Sequence, residues 1–140
     1  MKLHNLRLSR KNNISIISIC VDSEILGEKE LWFSTDQKYE NAICSTQYDA
    51  FLVGLLYPAM KYGEDIHING SVSKKLLFNT NNYVIPLVKS FSPSCKTIQV
   101  TAENTSGSKY GGSGIGTGFS GGVDSFCTIY DRYELQRDPE

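Results

Sequence analysis

The sequence predicts an α/β (or α+β) fold, and three observations lead to it. Strand-like, β-branched segments fill the first part of the chain, and a run of apolar residues at helical spacing follows them. Near the end a glycine-rich tract passes through a tight turn into a second helical pattern. We divide the chain into an N-terminal mixed α/β domain over residues 1–105 and a second segment over residues 106–140, a glycine-rich connection and the start of another domain.

From Leu3 to about Phe33 the pattern is one of short strands joined by turns. The alternation of Leu3, Leu6 and Leu8 is imperfect, whereas Ile14, Ile16 and the residues after them are β-branched and bounded by Asn12-Asn13 and Gly27. Glu30 to Ser34 completes a hairpin or meander. Phe51, Leu52, Leu55, Leu56 and Met60 then recur at helical spacing, with Asp49 as a cap and Gly63 as a stop. Pro58 is expected to kink this helix or to start a second piece of it.

Ile66 and Ile68 alternate with His67 and Asn69 in a short strand ending at Gly70. Ser71 or Ser73 caps a following helix that carries Leu76 and Leu77. Asn79 to Asn82 are poor helix formers, so a break is expected there, with Tyr83 to Phe91 as a second short helix turning Leu87, Val88 and Phe91 inward. Thr97 to Thr101 restores a strand pattern with Ile98 and Val100 on one face, a polar stretch follows from Ala102 to Tyr110 before the glycine-rich tract Gly111 to Gly122, and Glu103 to Gly112 reads as a flexible linker. Ile115 to Phe119 has the character of a strand, and Val123, Phe126, Cys127 and Tyr130 follow at helical spacing.

Composition narrows the partners. The chain is 40% hydrophobic with 14 basic and 15 acidic side chains, a balance that supplies none of the excess positive charge used in nucleic-acid binding. Cys20, Cys44, Cys95 and Cys127 form no C-x-x-C pair, which argues for reduced structural thiols and against a zinc knuckle. Basic residues up to Lys11 followed by Ile14 to Val21 imitate a signal peptide. Ser15 and Ser18 interrupt that run, Asp22 and Glu24 follow it closely, and no small-residue cleavage site appears. The expectation is a cytoplasmic protein without a membrane partner.

The chemistry concentrates in Ser120-Gly121-Gly122-Val123-Asp124-Ser125. A phosphate chain needs converging amide donors, a backbone it can approach without Cβ collisions, and a helix N-terminus behind the loop. Gly121 and Gly122 remove the collisions. The Ser120 and Ser125 hydroxyls can donate to phosphate oxygens, and Val123 is expected to pack the helix onto a sheet. A carboxylate beside phosphate requires a separate reason, and capping the helix amides is the preferred role for Asp124, with a contact through Mg²⁺ second.

These six residues resemble the S-G-G-x-D-S signature of the PP-loop, or N-type, ATP pyrophosphatase superfamily, and the surrounding tract from about Ile115 to Tyr130 is similar to 7-cyano-7-deazaguanine synthase-like proteins. The resemblance implies the first strand-loop-helix of a Rossmann-like domain, incomplete at the C-terminus, with ATP and Mg²⁺ as cofactors. It further implies transfer of AMP to a carboxylate or amide-type oxygen of a small molecule or nucleoside, release of pyrophosphate, and displacement of AMP by a nitrogen or sulfur nucleophile. The motif falls late in the chain, and the cysteine cluster of the deazaguanine synthases is absent. The expectation is therefore an N-terminal portion of a larger enzyme, inactive alone, with a homo-oligomer or partner chain covering the incomplete sheet. The alternative is a non-catalytic fragment or recognition module that binds a substrate or partner through residues 1–105.

Other signals are weaker. Gly116 to Gly121 spells G-x-G-x-x-G, but no apolar strand ends at Gly116, and the helical pattern starts only after Val123. His67, beside Glu64 and Asp65, is read as a solvent-facing histidine without an identifiable nucleophile. Trp32, Tyr39, Tyr48 and Tyr57 are read as packing aromatics rather than a base or sugar pocket. No catalytic base is legible.

Overall fold

The computed structural model describes residues 1–107 and 118–131. The chain divides into two compact units, Met1–Ser108 and Lys109–Glu140.

The first unit is mixed α/β. Strands β1 (Lys2–Lys11), β2 (Ile14–Ser23) and β3 (Gly27–Asp36) form an antiparallel meander. Asn12 and Asn13 both take positive φ, the conformation that a two-residue hairpin turn requires and that asparagine tolerates better than most residues. In β2 the residues Ser15, Ile17, Ile19, Val21 and Ser23 all point into the core. The uneven leucine spacing in β1 has a structural cause: the register shifts between His4 and Arg7, and Asn5 sits at φ +57°. This bulge keeps Leu8 on the same face as Leu3, and Leu6 packs against the core as well.

Helix α1 (Asp49–Tyr62) buries Phe51, Leu52, Leu56, Ala59 and Met60. It ends where Gly63 turns to φ +78° and its amide bonds Ala59 O at 2.7 Å. Pro58 does not divide α1 into two pieces; the buried residues on either side of it hold one continuous element. Nor does Asp49 cap its own helix, because its carboxylate receives the Ser73 amide at 2.8 Å and the Ser73 hydroxyl.

Strand β4 (Ile66–Ser73) continues past Gly70, the expected end. It runs parallel to β1 and to β5 (Val100–Ser106), which gives the five-stranded order β3-β2-β1-β4-β5. Residues 103–106, read from sequence as the start of a linker, are therefore strand, and the strand begins at Val100 rather than Thr97.

Between β4 and β5 the expected break at the asparagines does not occur. Helix α2 (Lys74–Asn79) widens into a π turn at Thr80–Val84 and continues as α3 (Ile85–Phe91). The wide turn is held by side chains. Asn82 Nδ2 donates to Phe78 O at 2.7 Å, and Asn81 both donates to Val100 O and accepts from Val100 N, each at 2.9 Å. The turn also resets the helical phase. Ile85 becomes the buried residue of α3 and Val88 packs partly against the core, while Leu87 and Phe91, expected inside, are exposed.

All these helices cover one face of the sheet, where Leu3, Ile19, Ile66, Ile68 and Val100 meet Phe51, Met60 and Ile85. Phe33 of β3 reaches the same layer, its ring centroid 5.2 Å from that of Phe51. Where β1 and β4 both become irregular, the Tyr48 ring lies against Gly70 and its hydroxyl accepts the Leu6 amide at 3.0 Å. No helix among the described residues is long and apolar enough to cross a membrane.

Candidate functional site

The predicted motif lies in the second unit. Gly118 to Ser120 has no regular structure, Gly121 and Gly122 form a bend, and helix α4 (Val123–Ile129) follows. Part of the expected strand Ile115 to Phe119, and part of the Gly116 to Gly121 pattern, lie outside the described residues.

Gly121 adopts φ +75°, a left-handed conformation that strains any residue bearing a Cβ. Gly122 returns to extended backbone at φ −85°, ψ 172°, and the Phe126 amide donates to its carbonyl at 3.2 Å to open the helix. This change of conformation folds the loop back on itself. Ser125, only 9% exposed, comes under Ser120: the two hydroxyl oxygens are 2.9 Å apart, and the Ser120 amide donates to Ser125 Oγ at 3.1 Å. The Gly122 amide makes a longer bond, 3.4 Å, to Ser120 Oγ. The structure thus joins the two serines of the motif through their own side chains, a contact that the sequence signals only by placing them on either side of the glycine pair.

Asp124 occupies the first turn of α4. Its carbonyl accepts from Thr128 Oγ1 at 2.9 Å, and its carboxylate makes no hydrogen bond or ion pair with a described residue. The expected cap on the helix amides is therefore not formed. Val123 does not pack the helix onto a sheet either; it is 78% exposed and lines an open cleft of about 560 Å³ with Gly121, Phe126, Cys127, Tyr130 and Asp131. Phe126 instead meets Phe119 edge to face, with centroids 5.3 Å apart.

The loop can offer a ligand the backbone amides of its glycines, two hydroxyls that must first release each other, and one unpartnered carboxylate. Among the described residues no group of three or more histidine, cysteine or acidic side chains is arranged to hold a metal ion. A divalent ion at Asp124 would thus need the ligand's own oxygens to complete its shell.

The other residues singled out from sequence lie apart from one another. His67 is exposed on β4, with Nδ1 2.7 Å from Thr101 Oγ1. Tyr48 is buried, whereas Trp32, Tyr39 and Tyr57 are exposed, and Tyr39 carries Lys38 Nζ 4.8 Å above its ring. The four cysteines are free thiols. Compared with protein-family models, with curated proteins and with solved structures, the chain matches none.

Proposed function

We propose that the loop from Ser120 to Ser125 binds the phosphates of ATP, as a PP-loop does. The observation that carries this reading is a six-residue signature folded as a glycine bend opening directly into a helix, with Gly121 at φ +75° and Ser120 and Ser125 brought together behind it. The amides from about Gly121 to Ser125 then serve as donors, the serine hydroxyls exchange their mutual bond for phosphate oxygens, and Asp124 takes Mg²⁺ shared with the nucleotide. Bare carboxylate and triphosphate repel each other, so the free Asp124 side chain supports a metal-bridged role over direct contact.

The chemistry that follows is adenylation of a carboxylate or amide-type oxygen on a small molecule or nucleoside, with release of pyrophosphate. Within an enzyme of that kind this chain supplies the phosphate loop, and the acceptor is held by groups outside the motif. Calorimetric titration of the chain with Mg²⁺-ATP tests the reading. Saturable binding that requires Mg²⁺ and is lost in Asp124→Ala is expected; binding of equal strength with and without both the metal and the carboxylate would overturn the metal-bridged role. No binding by the folded chain at millimolar ATP would overturn the proposal for this chain.

A further inference from the structure

Residues 92–96 carry the chain from α3 toward β5 in a short surface turn that is fastened at several points. The Ser92 amide donates to Val88 O at 2.8 Å, the Cys95 amide to Ser92 O at 2.9 Å, and the Lys96 amide to Met60 O at 2.7 Å. Cys95 is fully buried beneath the turn, whereas Ser94 is exposed on it. The neighbouring Ser92 is half-buried, and its hydroxyl accepts from the Cys95 thiol at 3.5 Å. Ser94 is therefore the hydroxyl of the turn that an enzyme can reach.

Three lysines converge on this turn. Lys61, in the last turn of α1, donates from Nζ to Ser94 Oγ at 2.9 Å. Lys89, in the last turn of α3, donates from Nζ to Pro93 O at 2.8 Å and to Cys95 O at 2.7 Å, which lays its charge against the residues on either side of Ser94. Lys96 follows two residues after Ser94, with Nζ 3.5 Å from Tyr62 O. None of the three pairs with a carboxylate among the described residues. The sequence has no acidic residue between Asp65 and Glu103. Asp65 itself accepts the Gln99 amide at 2.8 Å, and Glu64 is taken by Met1, Ser23 and Ile25. A helix C-terminus carries about half a negative charge, so the ends of α1 and α3 offset about one of the three positive charges. About two remain, and a serine phosphate carries about −1.5 to −2 at neutral pH.

We infer that Ser94 is a phosphorylation site, its phosphate received by Lys61 with Lys89 and Lys96 around it. Lys61 already bonds the Ser94 hydroxyl, so a phosphate built on that oxygen begins within reach of an ammonium group. A protein kinase supplies the γ-phosphoryl group of a nucleoside triphosphate. The bond from Ser94 Oγ to phosphorus forms, and the bond from the γ-phosphorus to the bridging oxygen breaks. The nucleoside diphosphate leaves with that electron pair, and the hydroxyl proton passes to a base of the kinase. Charge-assisted bonds then tie the turn to the end of α1, 33 residues away in sequence.

The full 140-residue chain, prepared with phosphoserine at position 94 by site-directed incorporation, tests this against the unmodified chain. Its thermal midpoint is expected to lie about 4 °C higher at low salt, and the gain to shrink at high salt. The phosphorus resonance should titrate below the ordinary phosphoserine value of about 6, since nearby ammonium groups favour the dianion. Lys61→Met keeps most of the side-chain stem; it should remove most of the midpoint gain and return the titration toward about 6. Incubating the chain with a cell extract and γ-labelled ATP checks the transfer itself: label is expected on Ser94 and none on that peptide in Ser94→Ala. A phosphorylated chain no more stable than the unmodified one, or a phosphorus titration unchanged by Lys61→Met, would overturn the proposal. So would label confined to other residues. Inorganic phosphate that protects the unmodified chain as well as phosphorylation does would also overturn it, by assigning the lysines to a free anion.

Discussion

The Met1 ammonium nitrogen lies 3.3 Å from Glu64 Oε2, and both groups are almost fully buried. The amine also donates to Asp65 O at 2.7 Å, while Glu64 Oε1 accepts from Ser23 Oγ at 2.7 Å and from the Ile25 amide at 3.2 Å. Burial pushes the Glu64 carboxyl up, but the Ser23 and Ile25 bonds and the ammonium together pull it below the ordinary glutamate range. Its folded pKa is lower than its unfolded one, so the carboxylate contributes stability that is fully present above the unfolded pKa and is lost as pH falls through the folded value. Glu64→Gln is expected to cost on the order of 3 kcal/mol at neutral pH, because it leaves a buried ammonium without its counter-charge. The penalty should shrink as the solution is acidified toward the wild-type carboxyl's folded pKa. Denaturant titrations of both proteins at several pH values check this, and a penalty independent of pH would mean that the ion pair is not its source.

Asn81 joins the π turn to the first residue of β5 by taking both backbone groups of Val100. Asn81→Asp keeps the acceptor and replaces the donor with a carboxylate facing Val100 O, whereas Asn81→Leu removes both bonds. Each is expected to destabilise the first unit by about 1–3 kcal/mol, the cost of leaving part-buried backbone groups unpaired, with the aspartate worse at neutral pH than in acid. Hydrogen exchange at the Val100 amide is the direct reading: it should quicken in Asn81→Leu more than exchange at Ile19 does.

The same asparagines explain where sequence reading of the fold stopped. Strands β1 to β3 and helix α1 were legible because β-branched runs, Asn12-Asn13 and Gly63 are local signals acting on their own segments. The helix break expected at Asn79 to Asn82 followed from propensity, but Asn81 spends its side chain on Val100, 19 residues away, and tertiary bonding overrides the local preference. The inward side of α3 was misread for the same reason, since a π turn shifts every later residue to a new angular position. In β5 the polar residues Glu103 to Thr105 hid a strand whose partner, β4, lies elsewhere in the chain. At the candidate site the glycine bend and helix start were legible; the bond between Ser120 and Ser125 was not, because it depends on the positive φ of Gly121.

Tyr48 and Gly70 form a matched pair. A Cβ at position 70 would stand 2.4 Å from Tyr48 Cε2, so Gly70→Ala must displace a buried ring. The displacement would also remove the acceptor of the Leu6 amide in the β1 bulge. Gly70→Ala is expected to cost about 3 kcal/mol, and Tyr48→Phe, which keeps the ring and loses only the hydroxyl, about 1 kcal/mol. If the ring is the obstacle, Tyr48→Ala should add little further loss in a Gly70→Ala background, so the double-mutant cycle would be strongly non-additive. Additive losses would show that Gly70 acts through its backbone alone.

The two glycines of the phosphate loop separate the cost of forming the loop from the cost of using it. At Gly121 a side chain meets no atom within 4 Å, yet φ +75° is strained for any L-residue, so Gly121→Ala is expected to cost about 1 kcal/mol in loop formation before any ligand arrives. At Gly122 the backbone is extended, and an added Cβ would meet only Ser120 Oγ at an ordinary 3.5 Å. Gly122→Val should therefore leave the unliganded loop and α4 in place and oppose only the approach of a phosphate to the amides. The amide resonances of Ser125 and Phe126 are expected to move in Gly121→Ala and to stay near their wild-type positions in Gly122→Val, while Mg²⁺-ATP binding weakens at least about tenfold in the valine variant. Undiminished binding by Gly122→Val would place the phosphates away from this backbone, and with them the nucleotide.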